Sequence, residues 1–434
     1  MKSTAGGSVC RRCRHRIPKS GKWPAMTANA QRNRRGGVSA IVIPIAWVAL
    51  AACSPDLDGD RGQPGSRLQD YALDYALDYA LDVEGASEGA IGALPLGLEL
   101  AEAVTAEDNP TTRAKITLGR LLFFDKRLSV DDSVACASCH SPAAGFSDNL
   151  RVSFGIDRRQ GERNAPTAIN RFASSRQFWD GRAASLEEQA TGPLINPLEM
   201  GMPDLGAVTR KIAAIEGYQE LFHEVFAQPV SIDGIAKAIA SFERALVSGN
   251  SRWDKFDAGI IDVLTIPERR GLGIFFGKGR CDQCHSGWNL TDEKFHNIGV
   301  GFDEEPIDSG RLVVTGKTRD TGAFKTPTLR EITRTAPYMH DGRFETLEEV
   351  VDYYSEGVIS NPFLDVEMRR SGGQLAKAIG LTGERSPPGG ATPAPVAAAT
   401  LDLTAREKAD LVAFMGAFEG EGWQWAKAPD SFPQ

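Results

Sequence analysis

Two short stretches of this 434-residue chain combine cysteine and histidine in the same order: Cys136-Ala137-Ser138-Cys139-His140 and Cys281-Asp282-Gln283-Cys284-His285. Two thiols three residues apart can add to the vinyl groups of a haem, and the following histidine then binds the iron from one face. A zinc site built from two Cys-x-x-Cys pairs is the alternative, but it leaves both histidines without a role. The sequence therefore predicts two covalently bound c-type haems, with His140 and His285 as iron ligands.

Apolar residues at helical spacing surround these motifs. They predict one helix at Ile116–Phe124, before the first motif, and one at Pro267–Phe276, before the second. A third helix is predicted over 233–247, with a domain boundary near 248–250. A capping box at Thr404-x-x-Glu407 predicts a last helix, whose apolar face carries Leu411, Phe414, Met415 and Phe418.

An internal repeat relates the two halves. Pro166-Thr167 lies 13 residues before Trp179-Asp180-Gly181-Arg182, and Pro327-Thr328 lies 13 residues before His340-Asp341-Gly342-Arg343, at an offset of 161. Eight of 23 aligned positions are identical, where chance at ordinary composition gives about one or two. The predicted fold is mainly α, with two tandem cytochrome c-like haem domains that have long loops and are related by internal duplication. The domains are 96–248 and 249–434.

Comparison of the two copies suggests how the irons differ. A capping box at Thr346-x-x-Glu349 predicts a helix from Leu347, with Val350, Val351 and Tyr354 on the same face as Leu347. Tyr354 is then either a ligand to the second iron or a core aromatic residue. The equivalent position in the first copy is Pro193, which has no metal-binding atom. If Tyr354 binds iron, the first haem has one open face.

The N-terminal segment differs from the rest of the chain. Residues 1–52 carry ten Lys/Arg and no acid, and end in the apolar run Val38–Ala52. Leu50-Ala51-Ala52-Cys53 resembles a bacterial lipoprotein box, which implies cleavage before Cys53 and lipidation of its thiol; a buried apolar strand is the alternative. We predict a lipoprotein signal peptide over 1–52, a low-complexity linker over 53–95, and a periplasmic protein anchored to a membrane only through the lipid on Cys53.

Charge excludes some partners. Loss of the ten positive charges of residues 1–52 would lower the net charge from −8 to −18, which argues against nucleic acid as a partner. An acidic surface could steer a basic electron-carrier protein, or could simply be the solvated face of an exported protein. A Pro/Gly/Ala-rich segment over 384–398 is predicted to be a surface insertion.

Residues 96–425 resemble the dihaem cytochrome c peroxidase family, and more closely its methylamine-utilisation (MauG) branch. The resemblance is carried by both haem motifs and by the following stretches: Leu122-Phe123-Phe124-Asp125, Arg163-Asn164-Ala165-Pro166-Thr167, Phe178-Trp179-Asp180-Gly181-Arg182, Leu186-Glu187-Glu188-Gln189-Ala190, Pro197-Leu198-Glu199-Met200-Gly201 and Ala336-Pro337-Tyr338-Met339-His340-Asp341-Gly342.

This resemblance implies roles for several residues. Gln189 and Glu199 would line a peroxide pocket, where Glu199 moves a proton between the two peroxide oxygens. Trp179 would lie between the haems. Tyr354 stands where the peroxidases have a methionine ligand and the MauG branch has tyrosine.

Other positions bear on metal binding and on the kind of reaction. The resemblance also implies that a side-chain oxygen of Asn164 and backbone carbonyls of Thr335 and Pro337 hold one calcium ion, which oxygen ligands suit. The stretch Phe154-Gly155-Ile156-Asp157 lacks the histidine that covers the first haem of the peroxidases. Gly279 stands where the type member of the MauG branch has a tryptophan that oxidises a partner protein.

The sequence thus predicts a peroxidase that reduces hydrogen peroxide at an open N-terminal haem. A small redox protein, cytochrome c or a cupredoxin, would supply electrons through the C-terminal haem. The alternative is a MauG-like oxidase that oxidises residues of a protein substrate to build a cofactor. A plain electron-transfer cytochrome is a third hypothesis, which a Met or His in place of Pro193 and Ile156 would have favoured.

Overall fold

The computed structural model describes residues 94–99, 107–369 and 396–434. They all belong to one of the two compact units of the chain, Arg61–Gln434. The predicted signal peptide, nearly all of the predicted linker and most of the predicted surface insertion at 384–398 lie outside the described residues. None of the described helices is long and apolar enough to cross a membrane.

The described residues are largely helical, with long irregular connections and short 3₁₀ turns. The α-helices are α1 (Arg113–Phe124), α2 (Cys136–Cys139), α3 (Leu186–Ile195), α4 (Leu205–Ala213), α5 (Glu216–Phe226), α6 (Ile232–Arg244), α7 (Arg252–Asp257), α8 (Ile266–Phe275), α9 (Leu312–Thr315), α10 (Leu347–Glu356) and α11 (Ala405–Met415). The strands are β1 (Phe295–His296) and β2 (Phe324–Lys325), which pair antiparallel.

The helices predicted around the haem motifs are confirmed as α1, α6, α8, α10 and α11, with ends that differ by at most three residues from those predicted. The predicted capping boxes explain where two of them begin. The Thr346 hydroxyl accepts from the Glu349 amide, and the Glu349 carboxylate accepts from the Thr346 amide; Thr404 and Glu407 form the same pair. Local side-chain chemistry therefore fixes these helix starts before any packing is considered.

A first hydrophobic core is built around α1 and α6. The two helices touch backbone to backbone at Gly119, where a Cβ atom would lie 1.9 Å from the Ala238 carbonyl oxygen and 2.9 Å from the Cβ of Phe242. The rings of Phe123 and Phe242 meet beside this crossing, with centroids 5.0 Å apart. The side chain of Cys136 packs against this core, so the crossing supports the first haem motif.

A second hydrophobic core is built around α8 and α11. The contact is again made at a glycine, because a Cβ on Gly271 would lie 2.0 Å from the Asp410 carbonyl oxygen and 2.7 Å from the Cβ of Phe414. Helix α10 packs on α11, and Cys281 packs against this core. Each cysteine motif therefore stands beside a pair of helices that cross at a glycine.

Polar side chains and the chain end connect the two cores. Nδ2 of Asn170 donates to Oδ1 of Asn289 at 3.2 Å, and the Ser248 hydroxyl donates to Oε1 of Glu331 at 2.6 Å. Arg163 pairs with Asp180 at 2.7 Å and with Asp308 at 2.6 Å. The last residues of the chain return to the first core, where Trp423 and Trp425 are buried.

Candidate haem sites

The first Cys-x-x-Cys-His motif forms the single-turn helix α2 followed by His140. The His140 amide donates to the Cys136 carbonyl at 2.9 Å. Nδ1 of His140 lies 3.0 Å from the Phe146 carbonyl oxygen. Because this bond occupies Nδ1 and fixes the ring, Nε2 is the nitrogen left for a metal.

Glu199 faces the first motif from the turn after α3. Its carboxylate contributes to the raised pKa of both thiols, Cys136 and Cys139, for which burial is the largest cause. Burial also raises the pKa of Glu199 itself, against the opposing effects of Arg182 and of a 2.7 Å hydrogen bond from Asn196. The structure therefore brings Glu199 to the first haem motif as a carboxyl that holds its proton more tightly than usual.

Two residues of α3 stand four positions apart and so share a face: Gln189 and Pro193. Oε1 of Gln189 is buried without a hydrogen-bond partner among the described residues. The carbonyl of Pro193 accepts from the Met200 amide at 3.2 Å, which ties α3 to the turn that carries Glu199. Helix α3 and its following turn thus hold three of the residues predicted for the open first site.

The segment Phe154-Gly155-Ile156-Asp157, which contains no histidine, packs directly on the turn that carries Glu199. The Ile156 amide donates to the Glu199 carbonyl at 2.8 Å, and a Cβ on Gly155 would lie 2.1 Å from the Leu198 carbonyl oxygen. The buried Ile156 side chain in turn reaches Gly201. The residues facing Glu199 from this side are therefore glycine and isoleucine, neither of which binds metal through its side chain.

The second motif lines a mainly apolar cavity. Cys281–Gln283 form a 3₁₀ turn, and Nδ1 of His285 lies 3.1 Å from the Leu290 carbonyl oxygen, as in the first motif. The cavity is lined by Cys281, Cys284 and His285 and by all four residues predicted to share one face of α10, namely Leu347, Val350, Val351 and Tyr354. The prediction that these four residues share one face of α10 is confirmed, and this face lines the cavity of the second motif.

The Tyr354 phenol makes no hydrogen bond with the described residues, whereas the neighbouring Tyr353 hydroxyl donates to the Ile298 carbonyl at 2.8 Å. Burial, with smaller effects of Tyr353 and the thiols, raises the pKa of Tyr354. A metal has the opposite effect, since it favours the phenolate. Tyr354 and His285 line the same cavity. Ligation of Tyr354 to iron stays a prediction.

Trp179 lies on the wall of the same cavity. Its indole Nε1 donates to the Asn164 carbonyl at 2.8 Å, and its ring meets His340 edge to face with centroids 6.5 Å apart. His340 stacks on Phe324 at 3.6 Å. Arg182, three residues after Trp179, acts on the pKa of Glu199. The short segment from Trp179 to Arg182 therefore reaches both candidate sites.

The residues predicted for calcium also line this cavity: Asn164, Thr335 and Pro337. The Asn164 side chain donates through Nδ2 to the Leu150 carbonyl at 2.9 Å, which leaves its Oδ1 as the oxygen that could bind a cation. Among the described residues there is no group of three or more His, Cys, Asp or Glu side chains that could hold a metal. A calcium site here would rest on amide and carbonyl oxygens, and it stays a prediction.

His296 is held between two carboxylates, with Nδ1 2.8 Å from Asp365 and Nε2 3.0 Å from Asp292. Burial opposes a charge on the ring, but the two carboxylates outweigh it and raise the pKa of His296 to about 12. Both ring nitrogens are occupied by carboxylates, so neither is free to bind a metal. His223 is exposed on α5.

These residues fit two haems. The four cysteines are free thiols, and each motif histidine keeps Nε2 available. The cavity of the second motif has an apolar lining suited to a planar macrocycle. Buried polar atoms without partners among the described residues include Oε1 of Gln189 and Nε2 of His340, and a bound group could satisfy such atoms.

Sequence reasoning missed three charged residues of the interior: Arg171, Glu243 and Lys325. Glu243 and Lys325 are buried, at 6% and 5% exposure. Burial raises the pKa of Glu243 to about 8 and lowers that of Lys325 to about 7. No local pattern marks them, because Glu and Lys are ordinarily surface residues.

Comparison with known proteins agrees with this geometry. The profile of the di-haem cytochrome c peroxidase family matches residues 113–260. The chain is 36% identical over 302 residues to the methylamine utilization protein MauG of Methylorubrum extorquens, covering 69% of this chain and 85% of that protein. It is 42% identical over 238 residues to the cytochrome c551 peroxidase of Nitrosomonas europaea, covering 54% and 71%.

Among solved structures, a MauG-like protein associated with microbial copper homeostasis matches 77% of this chain and 96% of its own, with a TM-score of 0.63 and 32% identity. The fold and the two motifs therefore define a c-type haem oxidoreductase of the peroxidase type. The chain belongs to the di-haem cytochrome c peroxidase family, which includes the MauG branch.

Proposed function

We propose that the chain reduces hydrogen peroxide at the first haem, with electrons that a small redox protein, cytochrome c or a cupredoxin, delivers through the second haem. The observation that carries this proposal is the position of Glu199, a half-buried carboxyl with a raised pKa that faces the first motif. No histidine or methionine stands beside it on the Gly155–Ile156 segment. A peroxide molecule at the first iron would meet a proton carrier there, and no competing side-chain ligand from this segment.

Each residue has a defined task in this reaction. Haem iron, when bound, supplies the redox centre of each site. His140 would hold the iron of the first site through Nε2, since its Nδ1 is occupied by the Phe146 carbonyl, and Pro193 would offer the iron no side-chain ligand. Glu199 takes a proton from one peroxide oxygen and gives it to the other as the O–O bond breaks. Two electrons and two protons per peroxide yield two molecules of water.

The electrons need a path from the second site to the first. The wall of the second cavity offers aromatic contacts for this path, since Trp179 lies edge to face with His340. The indole is fixed by its hydrogen bond to Asn164. We propose that electrons pass through Trp179, and that the donor protein docks near the second haem, guided by the acidic charge of the mature chain.

The test of this function is Glu199→Gln, which keeps the shape of the side chain but removes proton transfer. We expect kcat/KM for peroxide, with reduced cytochrome c as donor, to fall by about 10²- to 10⁴-fold. In the parent enzyme the rate should fall as the pH drops through the raised pKa of Glu199, because the protonated carboxyl cannot accept a proton from peroxide. The variant should not show this fall in rate at low pH. Glu162→Gln, at an exposed glutamate, is the control. Unchanged turnover in Glu199→Gln would contradict the proposal.

Oxidation of a protein substrate, as the alternative, is favoured by Tyr354 in the second cavity and by the identity with MauG. One contact weighs against it. A Cβ on Gly279 would lie 2.8 Å from the Ile274 carbonyl oxygen and 3.2 Å from the Cys281 sulfur, so a surface-side tryptophan does not fit there. Peroxide consumption with reduced cytochrome c as the electron source would favour the peroxidase, whereas rapid peroxide reaction without turnover of this donor would favour the oxidase.

The domain organisation, the calcium site and the cellular location of the chain are also proposals. The glycine crossings at Gly119 and Gly271, each beside a haem motif, support two tandem haem domains, 96–248 and 249–434, related by duplication. The shared position of Asn164, Thr335 and Pro337 on one cavity wall supports a calcium site between them. A periplasmic location with a lipid on Cys53 rests on the sequence of residues 1–53.

A further inference from the structure

Two buried cations share one carboxylate on the wall of the second cavity. Nζ of Lys325 lies 3.4 Å from Oε2 of Glu293, and Nη1 of Arg171 lies 3.8 Å from Oε1. The Ser174 hydroxyl donates to the same Oε1 at 2.6 Å. The side chains of Lys325, Arg171 and Glu293 are only 5%, 11% and 20% exposed. We call these three residues the cationic cluster.

The charges in the cationic cluster do not balance. Two positive groups face one negative group within the cluster, and both ion-pair distances are long for charge-assisted hydrogen bonds. A second carboxyl, Glu243, also acts on Arg171, but burial raises the pKa of Glu243 to about 8, so it compensates this charge poorly near neutral pH. Burial, and then the neighbouring Arg171, lowers the pKa of Lys325 to about 7, although Glu293 opposes this. Removal of a cation from water is unfavourable unless an anion compensates it. The cluster therefore has the capacity to bind one further negative group.

The position of the cluster identifies the anion. Arg171 and Lys325 line the same cavity as Cys281, Cys284 and His285. Thioether bonds to the two cysteines hold the vinyl side of a haem at the motif, and the two propionates of the haem leave the ring at other positions on its edge. We propose that Lys325, assisted by Arg171, binds a propionate of the second haem and thereby raises the reduction potential of that haem.

The charge argument gives the direction of the effect. A cation beside the haem disfavours the ferric state, which carries one more positive charge than the ferrous state, and it also neutralises the propionate. Glu293 acts in the opposite sense because it competes for both cations. Lys325 is fixed in place, since its amide donates to the Trp179 carbonyl at 2.8 Å. In the proposed function, which this inference presupposes, Lys325 is thus a positioning residue next to the electron path.

The experiment compares holoenzymes with redox-titrated visible spectra and with resonance Raman spectra of the haem propionate bending mode. Lys325→Met should lower the potential of the second haem and shift the propionate mode, whereas Lys325→Arg should leave both close to the parent values. Glu293→Gln should raise the potential. Lys317→Met removes the same charge at an exposed position and should change neither property.

Two results would overturn the proposal: an unchanged second-haem potential in Lys325→Met, or a lower potential with an unchanged propionate mode, which would show that no contact is lost. If Lys325→Met does not yield protein with bound haem, Glu293→Gln provides the test instead. An unchanged second-haem potential in Glu293→Gln would also contradict the proposal. Intact mass gives the number of bound haems independently. Failure to bind two haems would contradict the proposed function, whereas two bound haems with an unchanged potential would contradict only this inference.

Discussion

At the scale of single residues, the second site contains a tyrosine side chain that has no counterpart at the aligned position of the first site. Tyr354 presents a phenol to the cavity of His285, whereas the position aligned with it is Pro193. A phenolate is an anionic ligand and stabilises ferric iron more than a neutral thioether does. If Tyr354 binds the second iron, the two irons should differ in both coordination and potential.

Replacement of Tyr354 by phenylalanine tests this difference. We expect Tyr354→Phe to change the oxidised spectrum and to raise the potential of the second haem, because an anionic ligand is lost. Tyr353→Phe is the matched control, since the Tyr353 hydroxyl bonds to the backbone at Ile298 and Ile359. It should lower stability slightly without a spectral change. A Tyr354→Phe spectrum identical to the parent spectrum would exclude tyrosine as the ligand.

Glu243 makes stability depend on pH. Burial raises its pKa from 4.5 to about 8, with Arg244 and Arg171 opposing this and Glu187 adding to it. Because the unfolded chain ionises this carboxyl near its ordinary pKa and the folded protein does not, its contribution to stability falls as pH rises from about 4.5 to about 8.

Glu243→Gln should therefore become progressively more stable than the parent over the same pH range. The gain is a few kcal/mol at most, at about 1.4 kcal/mol per pKa unit. Denaturant unfolding at several pH values measures it. Glu220→Gln, at an exposed position on α5, should show no such trend. A stability difference that is constant with pH would contradict the assignment.

At the scale of elements, each core depends on a glycine where two helices touch. Alanine is a better helix former than glycine by about 1 kcal/mol. At Gly271, however, the added Cβ would lie 2.0 Å from the Asp410 carbonyl oxygen, which belongs to the backbone of the crossing helix. The clash therefore outweighs the propensity.

Gly271→Ala should lower the free energy of unfolding by about 1–3 kcal/mol or more, and Gly119→Ala should do the same in the first core. Gly273→Ala in the same helix is the control, because a Cβ there has nothing within 4 Å. It should be neutral or gain up to about 1 kcal/mol. Thermal or denaturant unfolding of the three variants measures this. Equal stability of Gly271→Ala and Gly273→Ala would show that the crossing is not tight.

At the scale of the whole molecule, the chain end connects the two cores. Glu421 pairs with Gly249 through the backbone, and Trp423 and Trp425 then pack against Phe146 and Phe242 of the first core. The Pro433 carbonyl accepts from Arg127 at 2.9 Å. The first core is therefore completed by residues nearly 180 positions away from α6, so the two halves stabilise each other.

At the same scale, the proposed lipid on Cys53 would anchor the full chain to a membrane. The proposed lipid on Cys53 is the single anchor that the sequence suggests, so Cys53→Ser should move the protein from the membrane fraction to the soluble periplasmic fraction. Immunoblots of fractionated cells measure this, and haem content should stay the same. A parent protein already found in the soluble fraction would contradict the lipoprotein assignment.

The sequence by itself determined the covalent and local features of this protein. Attachment of two haems follows from contiguous motif residues, and helix starts at Thr346 and Thr404 follow from side chains three residues apart. Periodicity sufficed to place Tyr354 on the same face of α10 as Leu347, Val350 and Val351, the face that lines the cavity of the second motif. Such features depend on neighbours in the chain, so a linear pattern encodes them.

Only the tertiary structure decided which charged residues are buried and what surrounds them. Lys325 and Glu243 look like surface residues in the sequence, and their environment is set by Arg171, Glu293 and Glu187, which lie far away in the chain. The tight fit at Gly279 likewise depends on how the turn before Cys281 folds back on α8. The burial of a residue and the charges around it depend on contacts between elements that are distant in the chain. Local spacing in the sequence does not predict these contacts.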